Sequence, residues 1–241
     1  MSDVKNSSLA TDLVSYWELE EASGTRVDSH GSNDLTDNNT VGQAAGKIGN
    51  AADFEVSNGE FLRKTSPTGL SPSQGTYASW VKWRSFPSGE RWVADNGIAD
   101  SGIQVFTAPS TNRLTGRGRY VSGYRSAVWT TTPTLDVWYH VVYTFTDTAV
   151  TLYVDGAQVA QTTFASSPIF TNNRDFALGC LNNGASQYCF DGIIDEAAVW
   201  SRAITASEVS DLYNSGAGIP YEAAAGGGTI ITNAMPILGL R

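Results

Sequence analysis

Residues 138–156 read WYHVVYTFTDTAVTLYVDG, two strand patterns joined by a short turn and closed by an Asp-Gly pair. In the second strand Val150, Leu152 and Val154 alternate with other residues, which places these apolar side chains on one face of a sheet. Asp-Gly supplies the positive φ angles of a tight hairpin turn, so the following AQVAQTTF should return as the partner strand. The stretch predicts an antiparallel β-sandwich.

The rest of the chain has short apolar runs separated by Gly, Thr, Ser and Asn, a pattern typical of strands and turns. With 241 residues, 41% apolar and 11% aromatic, it can bury the core of one all-β domain. We expect Trp side chains to fill that core: Trp17, Trp80, Trp138 and Trp200. We predict an antiparallel two-sheet sandwich over residues 13–221, an N-terminal arm over 1–12, and a Gly-rich linker with an apolar tail over 222–241.

One short helix is expected near the C-terminus. Thr205 and Glu208 have the Ser/Thr-x-x-Glu spacing of a capping box, in which each residue satisfies a backbone N–H at the start of the helix. Val209 and Leu212 give this helix an inner apolar face, and Gly216 is expected to follow its end. The helix should cover an edge or end of the sandwich.

Charge and hydropathy exclude several classes of partner. The net charge of −9 disfavours nucleic acid, because phosphate binding requires a basic surface. No run of eighteen apolar residues is present, so membrane insertion is not expected. The segment MSDVKNSSLATDL lacks a basic start followed by an apolar core, so we expect no secretory signal.

An exception to the acidic composition lies at residues 113–129, RLTGRGRYVSGYRSAVW. Guanidinium groups among aromatic rings suit anionic or stacked sugar ligands, or a protein surface. The predicted recognition residues are Arg117, Arg119, Tyr120, Tyr124 and Trp129. Trp92 and Asp95 are weaker candidates, since RWVADNG also fits a strand and its turn. The alternative for 113–129 is a pair of strands whose Arg side chains simply face solvent.

Cys180 and Cys189 flank a turn-rich segment, LNNGASQY. Opposed positions on a hairpin bring two sulfurs within bonding reach, and a disulfide here would hold a loop that has no core of its own. Two free thiols remain the alternative, because no secretory signal is seen. The eight-residue spacing without companion Cys or His does not fit a zinc site.

Five separated segments together resemble laminin G-like, concanavalin A-like jelly-roll domains. They occur in the family's order at residues 13–36, 46–62, 76–83, 138–156 and 190–216. The first contains an aromatic strand and an Asp-Ser-x-Gly loop, and the last contains the closing strand and helix. The resemblance implies a carbohydrate-binding type of sandwich.

The resemblance also implies a structural calcium ion. In many relatives an acidic N-terminal loop and an Asp of the closing strand hold it, and the matching residues are Asp28 and Asp195. Calcium takes six to eight oxygen ligands, which a loop such as DSHGSNDLTDNN can supply. The same loop is equally typical of a solvated turn, because Asp and Asn favour turns for backbone reasons.

Catalysis is not expected. Related jelly rolls include glucanases and polysaccharide lyases, but the Glu-x-Asp-x-x-Glu pattern of a glucanase strand is missing, since Asp191, Asp195 and Glu196 do not have that spacing. His30 and His140 are the only histidines, which excludes a three-histidine zinc site. The alternatives to a noncatalytic module are a carbohydrate-active enzyme and a free glycan-binding lectin.

The final segment, EAAAGGGTIITNAMPILGLR, combines a Gly linker with an apolar, Pro-containing tail. Its apolar residues would be poorly accommodated in water, so we expect residues 226–241 to dock on another chain by apolar burial or strand addition. Together with the glycan-type fold and the missing signal, this predicts a bacteriophage virion protein, of the capsid surface or the tail, in an oligomeric assembly. It would be found in the virion, or outside the cell after lysis. The alternative is a tail that packs on its own sandwich.

Overall fold

The computed structural model describes residues 3–96, 102–165, 175–181 and 188–222. Within these ranges nearly all regular structure is β, and the sandwich is all-β as predicted. The predicted docking segment, residues 226–241, lies outside the described residues.

Fifteen strands and one α-helix occur in the described residues. The strands are β1 Leu13–Trp17, β2 Thr36–Asn38, β3 Gly42–Ala45, β4 Asn50–Phe54, β5 Phe61–Lys64, β6 Gly75–Trp83, β7 Arg91–Asp95, β8 Gln104–Thr107, β9 Leu114–Tyr120, β10 Gly123–Val128, β11 Trp138–Phe145, β12 Ala149–Val154, β13 Ala157–Thr163, β14 Phe176–Leu178 and β15 Gly192–Trp200. The helices are α1 Ala206–Tyr213 and the 3₁₀ turns Ser8–Ala10, Val56–Asn58 and Asn214–Gly216.

The strands form two antiparallel sheets. The eight-stranded sheet has the order β13-β12-β11-β6-β15-β4-β3, with β1 also paired to β15. The seven-stranded sheet has the order β10-β9-β8-β7-β14-β5-β2. The hairpin of β11, β12 and β13 lies where the sequence predicts it, with Asp155 at φ 51° and Gly156 at φ 77° in the tight turn.

The main core lies between the two sheets and is rich in aromatic rings. Trp17 stacks on Phe176 with ring centroids 5.2 Å apart, joining β1 of one sheet to β14 of the other. The absence of a side chain at Gly116 brings β9 against Tyr143, because a Cβ there would lie 2.3 Å from its ring. Such close approach explains why glycines alternate with arginines along β9.

A second apolar cluster covers the outer face of the eight-stranded sheet. Trp200 and Tyr16 on the sheet pack with Val209 and Leu212 of α1, as the predicted inner face of the helix requires. The helix begins at Thr205 with both hydrogen bonds of the predicted capping box. We refer to this surface as the covered face.

The described part of the N-terminal segment contributes to this cover. Val4 and Leu9 are buried, and the Val4 N–H donates to the Pro220 carbonyl at 3.1 Å. Part of the segment before β1 is therefore packed on the sandwich, and the division at residue 13 stays a prediction. Trp138 differs from expectation, since it is only partly buried and lies under the Lys82 ammonium group, 5.0 Å from its ring.

The helix of the structure is short. Among the described residues, none of the helical segments has the length and apolar composition needed to cross a bilayer.

Candidate binding face

The candidate site lies on the outer face of the seven-stranded sheet and consists of Trp92, Phe106, Arg117, Arg119 and Tyr124. We refer to these five residues as the arginine face. Alternation along β9 turns both arginines outward, while the glycines between and before them face the core. Antiparallel register then places Tyr124 of β10 directly opposite Arg119. No described helix or strand packs over this surface.

Arg117 is held by several neighbours. Its guanidinium group lies 4.6 Å from the Phe106 ring centroid and 4.7 Å from that of Tyr124. Its Nε–H donates to Gln104 Oε1 at 2.7 Å, and its Nη1 lies 3.8 Å from Glu90 Oε1. Because stacking, hydrogen bonding and an ion pair all act on it, the Arg117 side chain is fixed in position.

Arg119 has a different environment. Its guanidinium group lies 4.8 Å from the Tyr124 ring centroid. Within the part of the chain that the structure describes, it has no hydrogen bond or ion pair. Its side chain is partly exposed and the Tyr124 side chain is 42% exposed, so both are accessible to a ligand.

Trp92 and Phe106 form the base of the face. Their rings stack with centroids 4.6 Å apart, and both are almost fully buried together with Leu181. Asp95, the other weaker candidate, is fully buried and lies opposite Gln104 in the β7–β8 register. The two weaker candidates, Trp92 and Asp95, are therefore buried beneath the surface and present no exposed group to a ligand.

Two of the predicted recognition residues do not lie on this face. Tyr120 points into the core, where its hydroxyl donates to the Thr146 carbonyl at 3.0 Å and burial raises its pKa. Trp129 is partly buried against Tyr139, with ring centroids 5.7 Å apart. Tyr120 faces the core because it follows Arg119 directly, and successive side chains of a strand point to opposite sides of the sheet.

Sequence reasoning missed Glu90, Gln104 and Phe106. In the segment QVFT, the alternation of a strand places Gln104 and Phe106 on the same sheet face, and this pattern could have predicted that they lie together. Connecting them with Arg117 required the β8–β9 register, in which Gln104 pairs with Arg117.

Cys180 and Cys189 are joined by a disulfide beside the arginine face. Both residues are buried with Phe61. Cys189 forms an isolated bridge with Trp92, and the Trp92 N–H donates to the Tyr188 carbonyl at 3.1 Å. The disulfide thus ties the segment after β14 to the base of the face.

The predicted calcium ligands, Asp28 and Asp195, both accept hydrogen bonds from backbone N–H groups. Asp28 accepts four backbone N–H bonds of 2.8–3.1 Å, from Tyr16, His30, Gly31 and Asn33. Asp195 Oδ2 accepts those of Lys47 and Ile48. No group of three or more His, Cys, Asp or Glu residues suited to a metal occurs in the described ranges. A saturated turn carboxylate does not suit calcium, so metal binding stays a prediction that the Asp28 geometry does not favour.

Asp195 and Glu196 lie on β15 of the eight-stranded sheet. Both are buried, at a bulge of β15 where Glu196 has φ 49°, and the Tyr16 hydroxyl donates to the Glu196 carboxylate. Burial raises the pKa of Asp195 to about 7, and burial together with the Asp195 charge raises that of Glu196 well above its usual value. Burial also lowers the pKa of His140 to about 3. None of these groups is open to a substrate.

The family follows from comparison with known proteins. Residues 57–210 match the Laminin_G_3 family, described as the concanavalin A-like lectin/glucanases superfamily. The chain belongs to this family. No curated protein sequence matches it significantly.

Solved structures share the fold. The binding domain of Paraclostridial Mosquitocidal Protein 1 aligns with TM-score 0.67 and 17% identity, over 86% of this chain and 52% of that one. Domain 4 of AbnA, a GH43 extracellular arabinanase of Geobacillus stearothermophilus in complex with arabinotriose, aligns with TM-score 0.65 and 21% identity, over 83% and 97%. Trypanosoma rangeli sialidase in complex with sialic acid aligns with TM-score 0.66 and 15% identity, over 88% and 34%.

The chain therefore spans about half of the mosquitocidal binding domain and about a third of the sialidase chain. At these identities the likeness shows the fold and leaves ligand and chemistry to the residues of each protein.

Proposed function

We propose that the chain is a noncatalytic carbohydrate-binding module whose ligand site is the arginine face. The observation that carries the proposal is the exposed Tyr124 ring beside two guanidinium groups on an outer sheet face. An aromatic ring offers an apolar surface to the C–H face of a sugar, and guanidinium N–H groups are donors for its oxygens. The family match and the sugar complex of the arabinanase domain support the same class of ligand.

The noncatalytic part rests on the position of the acids. Glycoside hydrolysis needs two carboxyl groups that reach the same glycosidic bond. Asp195 and Glu196 are adjacent in sequence and buried, with Asp195 against the backbone N–H groups of Lys47 and Ile48 and Glu196 against the Tyr16 hydroxyl. On the arginine face, the Glu90 carboxylate is directed toward Arg117.

A glycan array followed by titration calorimetry tests the proposal. The protein should bind at least one glycan class, and Tyr124→Ala should weaken that binding by about tenfold or more, since a stacked ring is lost. Val121→Ala is the matched control, because Val121 is 73% exposed at the turn next to Tyr124 and does not belong to the face. Equal loss in both variants, or no binding by the unmodified protein, would contradict the proposal.

A carbohydrate-active enzyme is the alternative outcome. Incubation of each bound polysaccharide with the protein, followed by reducing-end analysis, should show no turnover. Product release that Glu90→Gln abolishes would replace binding by hydrolysis as the function, because Glu90 is an acid at the edge of the face.

The biological setting proposed is the surface of a bacteriophage virion, where residues 226–241 anchor the module to a partner protein. The support is their composition, an apolar, Pro-containing segment after a Gly-rich linker. Deleting residues 226–241 should abolish incorporation into particles and leave glycan binding unchanged. A truncated protein that still assembles would remove the anchoring role and would leave the binding role intact.

A further inference from the structure

We infer that Arg119 makes the arginine face selective for sugars that carry a carboxylate. The inference rests on the proposed function, since it specifies the ligand class of the same site. It goes beyond that function because neutral and acidic glycans could both stack on Tyr124.

The two arginines of the face differ in how many of their donors are already used. The Arg117 Nε–H donates to Gln104, and the Glu90 carboxylate lies near Arg117 Nη1. A protein carboxylate therefore partly compensates the charge of Arg117. Arg119 contacts the Tyr124 ring, and within the described residues no acceptor satisfies its guanidinium N–H groups. Arg117 therefore positions the aromatic rings, whereas no described residue uses the N–H donors of Arg119.

The local charge favours an anion at Arg119. Residues two apart on a strand face are roughly 7 Å from each other, so the two guanidinium groups repel one another across the face. Both also lie within reach of the same ring, at 4.7 and 4.8 Å from its centroid. An anion bound at Arg119 would relieve that repulsion, although the whole chain has a net charge of −9.

A carboxylate is the anion that fits best. The guanidinium group is a planar fork that binds both oxygens of a carboxylate, and stacking on an aromatic ring keeps that plane in place. A sugar ring on the exposed part of Tyr124 would place a ring carboxylate beside Arg119, because the two residues are direct cross-strand neighbours. The site thus suits a uronic-type or sialic-type sugar.

The test compares each acidic sugar with its own methyl ester, which keeps the ring and removes the charge. On an array that contains such pairs, the unmodified protein should bind an acidic member at least tenfold more tightly than its ester. Arg119→Gln should reduce that ratio to near one, and Arg119→Lys should give an intermediate ratio, since it keeps the charge without the fork. Arg113→Gln removes the same charge from an exposed position outside the face and should keep the full ratio.

The outcomes separate the inference from the proposed function. Equal binding of acid and ester by the unmodified protein, or a ratio that survives Arg119→Gln, overturns the inference and leaves glycan binding in place. Binding only of sulfated sugars overturns the carboxylate assignment. No binding to any glycan overturns both. Circular dichroism of every variant verifies that a lost ratio reflects the side chain and not misfolding.

Discussion

The outer faces of the two sheets are used in opposite ways. On the eight-stranded sheet, α1 and the terminal segments bury Trp200 and Tyr16, and the acids Asp195 and Glu196 are also buried. On the seven-stranded sheet, Tyr124 and Arg119 remain accessible over a stacked aromatic base. Because a sandwich needs only its inner faces for its main core, an outer face can be used either for added stability or for a ligand.

This difference separates two roles for similar residue types. Ionisable groups on the covered face have pKa values shifted by burial, and a ligand cannot reach them. The arginines of the other face keep contacts with rings and remain near solvent. Substitutions on the covered face should therefore change stability, and those on the arginine face should change binding.

The largest effect is expected from Trp200→Ala on the covered face. Trp200 is fully buried and its Nε1–H donates to the Leu9 carbonyl at 2.7 Å. Removing it should lower the free energy of unfolding by about 3–5 kcal/mol, because a large cavity forms under the N-terminal segment. Urea denaturation followed by fluorescence measures the loss. A loss below about 1 kcal/mol would mean that the cover does not stabilise the sandwich.

Removing the disulfide should affect both the free energy of unfolding and glycan binding at the arginine face. Replacing both Cys180 and Cys189 by Ser should cost about 2–3 kcal/mol, as expected for a bridge that closes a short loop. Since Cys189 forms a bridge with Trp92 of β7, glycan affinity should fall as well. Denaturation and calorimetry of the double variant measure both. Unchanged affinity in the folded variant would show that the face does not depend on this loop.

Glu196→Gln should make the protein more stable above pH 5. The native pKa of Glu196 is raised by burial, so its stabilising contribution is complete below the unfolded pKa of about 4.5 and is lost as the pH rises toward the native pKa. Gln keeps the neutral form at every pH. The gain should be near zero at pH 4 and increase by about 1.4 kcal/mol per pH unit until the native pKa is reached.

The measurement is the free energy of unfolding of both proteins between pH 4 and pH 8. Asp195 shifts in the same direction, with its contribution lost between about pH 4 and pH 7. Its charge is one cause of the raised Glu196 pKa, so the difference between the two proteins includes this coupling. A gain that is constant over this pH range would contradict a raised pKa of Glu196.

The smallest stability effects are expected on the arginine face. Arg119→Gln and Tyr124→Ala should each change the free energy of unfolding by no more than about 0.5 kcal/mol, because neither side chain is buried. The same variants should show the losses of binding described above. A destabilisation of 2 kcal/mol or more would mean that the arginine face stabilises the fold, as the covered face does, and the two outer faces would then not differ in role.

Much of the fold is readable from local patterns. Alternation in residues 138–163 and the Asp-Gly turn predict β11, β12 and β13, and the capping box predicts the start of α1. These features depend on residues that are close together in the chain, so they can be predicted from the sequence. The predicted fold class and the family resemblance are confirmed by the sheet arrangement and the family match.

The site was less predictable because it depends on which side of a sheet each residue faces. Arg117, Arg119 and Tyr124 are brought together as the sequence suggests, whereas Tyr120 faces the core. Bulges in β7 and β15 shift the alternation, and their positions are not visible in the residue pattern. Contacts between strands far apart in the chain also bring Glu90 to Arg117, which periodicity alone does not reveal.

The most direct measurement is a crystal structure of the protein with its strongest array ligand. We expect a sugar ring against Tyr124, with a carboxylate on the Arg119 guanidinium group. A ligand bound at the covered face or at the loop ends of the sandwich, with the arginine face unchanged, would contradict it.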